Sequence, residues 1–309
     1  MSGRRDKGRE GLTLAPNLKQ IEAFVAVADL ASFRRAADRL NTTQPNISAR
    51  ISAMEGLLGF RLMDRDAGSV RLTPKGEALM PAARQVLSSV DNLVAAAGDD
   101  RLFTGVIRLG VTEMIAHTWL GAFLKALQAR FPNVLVELSV DLSVNVGDAL
   151  FRRGIDLALQ NGPFERQASG QLALGAYPMV WVAAPELGAK GRLSLNDLTA
   201  MTILTHAKGA PQHDELIAHL AEHDMTDARL ATSTNLAACQ QMTMDGLGVA
   251  CLPRPMAAEA LASGRLVEVD YPWIPKDLEF AARYDADLAP SYVRAAAQIA
   301  VETAAAFRE

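Results

Sequence analysis

Between Ser32 and Glu55 the chain reads SFRRAADRLNTTQPNISARISAME, two short helical patterns joined by a polar break at Asn41 and Thr42. In the second, Ile47, Ile51, Met54 and Leu58 recur four, three and four residues apart. That spacing places them on one stripe of a 3.6-residue helix. The opposite side carries Pro45, Ala49 and Ser52, flanked by Asn46 and Ser48, so no long charged side chain bars close approach. Thr43 can cap this helix, and a proline is tolerated in the first turn because the N–H groups there lack helical partners. The first pattern starts at Ser32, a second cap candidate, and is expected to bury Phe33, Ala36, Ala37 and Leu40. Two helices around a short turn, the second with a clean outer face, describe a helix-turn-helix.

Asn17 opens a preceding helix, with Gln20 at capping-box spacing; Leu18, Ile21, Phe24, Val25 and Ala28 are its expected inner face. After Gly59, a helix end, the segment from Arg61 to Thr73 holds Gly68-Ser69 between apolar runs and fits a two-stranded wing. Thr73-Pro74 then starts a helix to about Ala97. Leu79, Ala83, Val86, Val90, Leu93 and Ala97 alternate four and three apart along it. This is the seam of a helix that pairs with another helix, and the seam therefore points to a second copy of the chain. The other reading is an amphipathic helix packed on its own body. Pro81 removes one helical hydrogen bond and is expected to kink it.

The segment SFRRAADRLNTTQPNISARISAMEGLLGFRLMDR, followed by VRLTPKGEAL, resembles the N-terminal domain of LysR-type transcriptional regulators. The resemblance rests on Ser32-Phe33, Ala36-Ala37, Leu40, Gln44-Pro45, Ser48, Ile51, Glu55, Leu58-Gly59, Leu62, Arg65, Leu72-Thr73 and Gly76 in fixed order. Met63-Asp64 and Ala49-Arg50 depart from the family's usual residues; the second pair lies on the reading helix and bears on the target sequence rather than the fold. Gln44, Asn46 and Ser48 are the expected base contacts, with Pro45 or Ala49 near thymine methyls. Thr42, Thr43 and Ser52 complete that surface, and Arg34, Arg50, Arg65 and Arg71 are expected on phosphates. A lone arginine of this kind is equally at home as a solvated charge.

From Gly105 the periodicity changes to strands alternating with helices, which argues for parallel β-α-β units. Strands are expected at 106–111, 134–140, 155–159, 179–184, 202–204, 229–232, 249–252, 266–269 and 278–284. The expected helices are 119–131, 144–153, 212–223, 235–245 and 290–307. GVIRLGVT (105–112), Phe131-Pro132, GIDLA (154–158) and GLGVACLP (246–253) resemble the LysR effector-binding domain, whose architecture is that of periplasmic binding proteins. The resemblance implies two α/β lobes with a ligand between them, the chain crossing near Pro163 and returning near Pro272.

The expected organisation is thus multi-domain. A disordered tail (1–16) precedes an all-α winged helix-turn-helix domain (17–75) and a linker and dimerisation helix (76–98). A two-lobed α/β effector domain (99–309) follows, with lobe 1 at 105–163 and 272–309 and lobe 2 at 164–271. Residues 1–75 hold 13 Lys and Arg against 8 Asp and Glu, while the whole chain carries a formal charge of -4. A basic head on an acidic body suits a nucleic-acid reader attached to a regulatory body.

Ligands of open parallel sheets bind beyond the carboxyl ends of strands. That rule selects Thr112, Glu113, His117, Ser143, Gln160, Thr205, His206, Ser233 and Asn235. Hydroxyls, amides and helix starts suit a small organic acid, although each such residue taken singly is as well explained as a helix cap. Glu113 opposes an anion at its own position; it is expected to accept a ligand hydroxyl or to contact His117. No nucleophile–base pair, Walker loop, HExxH or GxGxxG motif occurs, so no enzyme, cofactor or metal is expected. His213, His219 and His223 are read as solvated rather than as zinc ligands, and Cys239 and Cys251 as core thiols. No apolar run is long enough to cross a membrane, and no signal peptide is apparent, so a cytoplasmic location follows as an expectation. The expected partners are double-stranded promoter DNA, a small-molecule effector and further copies of the chain as homodimer or homotetramer. RNA polymerase is a further candidate. A metabolite-binding protein or enzyme whose helical head serves only assembly is the alternative, and a regulator without effector is a third reading.

Overall fold

The computed structural model describes residues 15–66, 69–96, 103, 105–189, 191–287 and 289–308. The expected tail (apart from Ala15 and Pro16), Gly68, Ala97 and most of the hinge before Gly105 lie outside the described residues. The chain divides into two compact units, Met1–Asp99 and Asp100–Glu309.

The first unit contains α1 (Leu18–Leu30), α2 (Phe33–Arg39), α3 (Gln44–Leu58), the strands β1 (Met63–Asp66) and β2 (Ser69–Leu72), and the long α4 (Pro74–Ala96). Asn17 accepts from the Gln20 amide while the Gln20 side chain accepts from the Asn17 amide, the expected capping box. Ser32 caps α2 through the Arg35 amide at 3.3 Å. Thr43 occupies the N-cap of α3 but its hydroxyl makes no capping bond there. Asn41 takes a positive φ of 47° in the intervening turn, a conformation asparagine tolerates well.

Ile21, Phe24, Val27, Leu30, Ala36, Ala37, Ile47, Ile51, Met54, Leu62, Met63, Met80 and Ala83 form the unit's core. Each large member contributes roughly 1.5–3 kcal/mol by leaving water. Leu18 lies outside this core at 42% exposure, contrary to expectation, because it sits in the first turn, before α1 meets its neighbours. Val27 takes the inward place instead.

β1 and β2 pair antiparallel, Met63 opposite Leu72. Glu55 anchors the wing to α3, its Oε1 accepting from the Leu62 and Met63 amides at 2.7 and 3.2 Å. Thr73 donates its hydroxyl to the Arg61 carbonyl and accepts from the Gly76 amide. A Cβ at Gly76 would lie 2.3 Å from the Leu62 carbonyl oxygen, so only glycine lets α4 start this close to the wing. α4 remains helical through Pro81. Its first half packs on α1, with Arg84 paired to Asp29 at 2.7 Å.

The second unit has two mixed five-stranded sheets. One holds β3 (Gly105–Val111), β4 (Val134–Val140), β5 (Leu157–Asn161), β6 (Gly170–Tyr177) and β12 (Leu278–Tyr284) in the order β4-β3-β5-β12-β6. The other holds β7 (Met179–Ala183), β8 (Ile203–His206), β9 (Leu230–Ser233), β10 (Val249–Pro253) and β11 (Val267–Glu268) in the order β11-β7-β10-β8-β9. β3, β4 and β5 run parallel, as do β8, β9 and β10. β12 and β7 run against their neighbours, so the sheets are not the all-parallel ones the alternation suggests.

The helices are α5 (Glu113–His117), α6 (Leu120–Arg130), α7 (Ser143–Phe151), α8 (Leu195–Ala200), α9 (Pro211–Glu222), α10 (Leu236–Met244), α11 (Arg254–Ala262) and α12 (Ser291–Arg308). Because β6 pairs with β12 in the first sheet, residues up to Tyr177 belong to lobe 1. The chain therefore crosses between β6 and β7, not near Pro163. Among the described residues no helix is long and apolar enough to span a membrane.

Candidate nucleic-acid interface and ligand cleft

The two faces of α3 differ sharply. Ile47, Ile51 and Met54 are at most 2% exposed, whereas Gln44, Pro45, Asn46, Ala49 and Ser52 lie exposed opposite them. Thr43 is also exposed, and Thr42, Ser48 and Arg50 are half-buried at the margins. Asn46 donates to the Thr42 hydroxyl at 3.2 Å, which orients its amide along the start of the helix. Arg34 and Arg71 are exposed on α2 and the wing. Arg65 lies on β1, and its side chain is outside the described ones. Arg50 faces a second demand: burial pushes the Glu22 carboxyl above its usual range, and the charges of Arg50 and Lys19 oppose that rise. Farther on, Val86 and Leu93 are 41% and 72% exposed on α4 and share a surface with Ala82, Gln85, Ser89 and Val90. Leu79 and Ala83 of the same seam are absorbed by the unit's own core.

In the second unit the expected ligand residues separate into three groups. The first lies buried at the carboxyl ends of lobe-1 strands. Thr112 follows β3 and Gln160 lies in β5, and they are 6% and 2% exposed. The Thr112 hydroxyl and the Gln160 side-chain oxygen have no hydrogen-bond partner among the described residues. Burying such groups unpaired costs of the order of 1–3 kcal/mol each.

The second group joins the lobes. Glu113 starts α5 in lobe 1, and its two carboxylate oxygens accept from the Leu236 and Ala237 amides of α10 in lobe 2, at 2.6 and 3.0 Å. The His117 Nε2 stands 3.6 Å from the same carboxylate, the expected contact. Asn235 caps α10 through the Ala238 amide at 2.6 Å, and Ser233 accepts from the Asn235 amide at 3.0 Å. Asn235 and Ser233 are thus engaged in local caps. Burial pushes the Cys239 thiol up, with the Glu113 charge adding to that effect.

The third group does not reach the cleft floor as expected. Thr205 and His206 line a cavity of about 10 Å³ with Trp181, Gln212, Leu216, Cys251 and Pro275. That is room for about one water, not for an organic effector. Burial and the neighbouring His213 press the His206 pKa down to about 4, so it is neutral. Ser143 is likewise committed, donating its hydroxyl to the Asn161 carbonyl.

The histidines of α9 are not solvated as a set. His213 and His219 are buried, His219 because Trp273 stacks on its ring at 4.1 Å and the Tyr271 hydroxyl lies 2.7 Å from its Nε2. His219, Glu222 and His223 bring three potential metal donors within 4.8 Å. Nε2 of His219 and Nδ1 of His223, the latter 2.9 Å from the His219 carbonyl, are already occupied by these hydrogen bonds. Sequence reasoning missed the Leu236 and Ala237 amides, which carry no side-chain signal, and the anchoring role of Glu55.

Residues 18–77 match the bacterial regulatory helix-turn-helix protein family of lysR type, and residues 100–305 match the LysR substrate binding domain. The chain belongs to the LysR family of transcriptional regulators. One relative, a probable hydrogen peroxide-inducible genes activator of Streptomyces viridosporus, is 32% identical over 82% of each chain. Among solved structures, ArgP from Mycobacterium tuberculosis is 21% identical with a TM-score of 0.64, covering 92% of this chain and 96% of its own. CbnR in complex with its target DNA is 19% identical with a TM-score of 0.52, covering 93% of this chain and 99% of its own. The first of these is described as a gene activator, and CbnR as a LysR family transcriptional regulator. The family assignment makes the second unit its effector-binding domain and accounts for the wing anchored by Glu55.

Proposed function

We propose that this regulator binds duplex promoter DNA in the cytoplasm by inserting α3 into the major groove, and that a small organic acid in the lobe cleft adjusts that binding. The observation that carries the first part is the uncovered face of α3, where Gln44, Asn46, Ser48 and Ala49 stand opposite a sealed core face. Amide side chains read adenine edges, hydroxyls read either pair, and small apolar groups accept thymine methyls. Arg34, Arg65 and Arg71 supply phosphate contacts that add affinity without specifying bases. Two copies joined along the exposed Val86–Leu93 surface of α4 read half-sites related by the dimer axis. Regulation follows from a change in RNA polymerase access at the neighbouring promoter.

The organic-acid reading is supported by the Thr112 hydroxyl, buried without a partner among the described residues and next in sequence to the lobe-joining Glu113. Cys239 and Cys251 are both buried, and burial raises both thiols. Peroxide sensing, suggested by the name of one relative, needs an accessible thiolate, and these thiols oppose it.

A gel shift with the DNA upstream of the chain's own coding region tests the first part. The full-length chain shifts it at nanomolar concentration, whereas Ser48→Glu does not. Binding unchanged by Ser48→Glu contradicts the reading. For the second part, a thermal-shift screen of small carboxylic acids gives stabilisation that Thr112→Val abolishes.

A further inference from the structure

We propose that Glu113 is a built-in carboxylate latch that ties the two lobes together in the ligand-free chain, so that an organic-acid effector acts by displacing it. The proposal rests on the cleft being the effector site.

The latch closes on the first turn of α10. The leading amides of a helix have no partners within it and must be satisfied from outside. Here all are taken. The Leu236 and Ala237 amides donate to Glu113, and the Ala238 amide to Asn235. The Asn235 amide, at the cap, donates to Ser233. A carboxylate also answers the partial positive charge of a helix start. Glu113 therefore offers what a ligand carboxylate would offer, from the opposite lobe and 123 residues away in sequence.

Position 113 is fixed from its own side. It opens α5, directly after the buried Thr112 and before Met114 and Ile115, which are at most 1% exposed. The backbone that presents the carboxylate is thus held by the core of lobe 1. Beside it, the Thr112 hydroxyl stays unpartnered although buried, as does the Gln160 oxygen. Two buried polar atoms of lobe 1 lack partners among the described residues, while the facing helix start is already filled. A carboxylic acid entering here meets an internal competitor of its own chemistry. Its binding exchanges one anion for another and frees lobe 1 from lobe 2.

Amide hydrogen exchange in the full-length protein, read on the peptide covering residues 234–240, tests the latch. Acetate is the probe and chloride at equal ionic strength the control. Losing hydrogen bonds to a charged acceptor of this kind accelerates exchange about ten- to a hundredfold. Glu113→Ala and Glu113→Asp, which keeps the charge but shortens the reach, both give that acceleration, while α12 stays protected as in the wild type. Acetate slows exchange in Glu113→Ala and leaves the wild type unchanged at the same concentration. If α12 loses protection in Glu113→Ala, the isosteric Glu113→Gln supplies the reading, with about tenfold acceleration. Equal exchange at 234–240 in wild type and variants overturns the latch, as does acetate that fails to protect Glu113→Ala. If no carboxylic acid stabilises either protein in the thermal-shift screen, the effector reading fails, yet the exchange contrast between variants still stands. If acids stabilise both while the contrast is absent, the latch alone falls.

Discussion

The outer face of α3 and the cleft of the effector domain are both polar surfaces on apolar cores, and they treat their polar groups in opposite ways. On α3, Gln44, Ala49 and Ser52 are exposed and short, and Asn46 is held only by Thr42. Of the residues expected in the cleft, Glu113, Ser143, Ser233 and Asn235 are spent on partners within the chain, while Thr112 and Gln160 keep atoms without a partner among the described residues. A surface built to meet a long, uniform polyanion can wait open to water at little cost, because water satisfies its groups until DNA arrives. A closed pocket for a small molecule has no such freedom, and its idle donors and acceptors are satisfied by the protein itself. On the proposed function, binding by α3 is addition, and binding in the cleft is exchange.

The largest expected effect separates the two faces of α3 itself. Ala49→Glu places a carboxylate between phosphate ridges, and like-charge juxtaposition costs several kcal/mol. DNA affinity measured by fluorescence anisotropy falls by about three orders of magnitude, with the melting temperature unchanged. Ile51→Ala, two residues on, does the reverse in kind: it lowers stability by about 2–4 kcal/mol through a core cavity, measured by urea denaturation.

Next in size is a pH dependence on the cleft side. His206 has a folded pKa pressed to about 4, below the usual value near 6.5. The unfolded chain therefore takes up a proton that the folded chain refuses. Stability is complete above about pH 6.5 and is lost as pH falls towards 4, by at most about 3 kcal/mol from this group. Denaturation midpoints across that window read it, and His206→Gln flattens the slope.

On α4, Leu93→Lys places a charge on the apolar surface proposed to pair. The cost of about 2 kcal/mol of lost burial appears in sedimentation as dissociation at roughly thirtyfold higher concentration, with no change in the fold of either unit. The smallest effect belongs to the wing. Arg71→Ala weakens binding uniformly across DNA sequences and reduces the slope of log affinity against log salt by about one. A sequence-selective loss there would move Arg71 into the base-reading set.

Most of this architecture was legible, but for unequal reasons. The bounds of β4 and β12 agree with their apolar runs, and α1 and α10 declare their starts through Asn17 and Asn235. β6 escaped notice because GQLALGAY is rich in Gly and Ala, residues poor in strand preference, and it is an edge strand held by β12 across a register shift. Missing it displaced the lobe crossing from Tyr177 to Pro163. α11 is absent from the expected helices although Pro253 and Pro255 stand at its N-cap and first turn, where proline is tolerated. In the site, the exposed face of α3 followed from periodicity alone. The Glu113 contact did not, since nothing local links a carboxylate at 113 to amides at 236 and 237. His206 occupied the expected strand end, but its side chain turned to a water-sized cavity under α9, a matter of packing that strand position does not reveal.

Promoter recognition depends most on α3 lying in the major groove. Dimethyl sulfate protection reads guanine N7, an atom exposed only there. With the upstream DNA bound by the full-length chain, guanines should be protected in two half-sites about one helical turn apart, or a multiple of it. Gln44→Ala should lose protection at one symmetric pair of positions while keeping the rest. Guanines that remain fully reactive in the bound complex, or protection that survives Ala49→Glu, would contradict it.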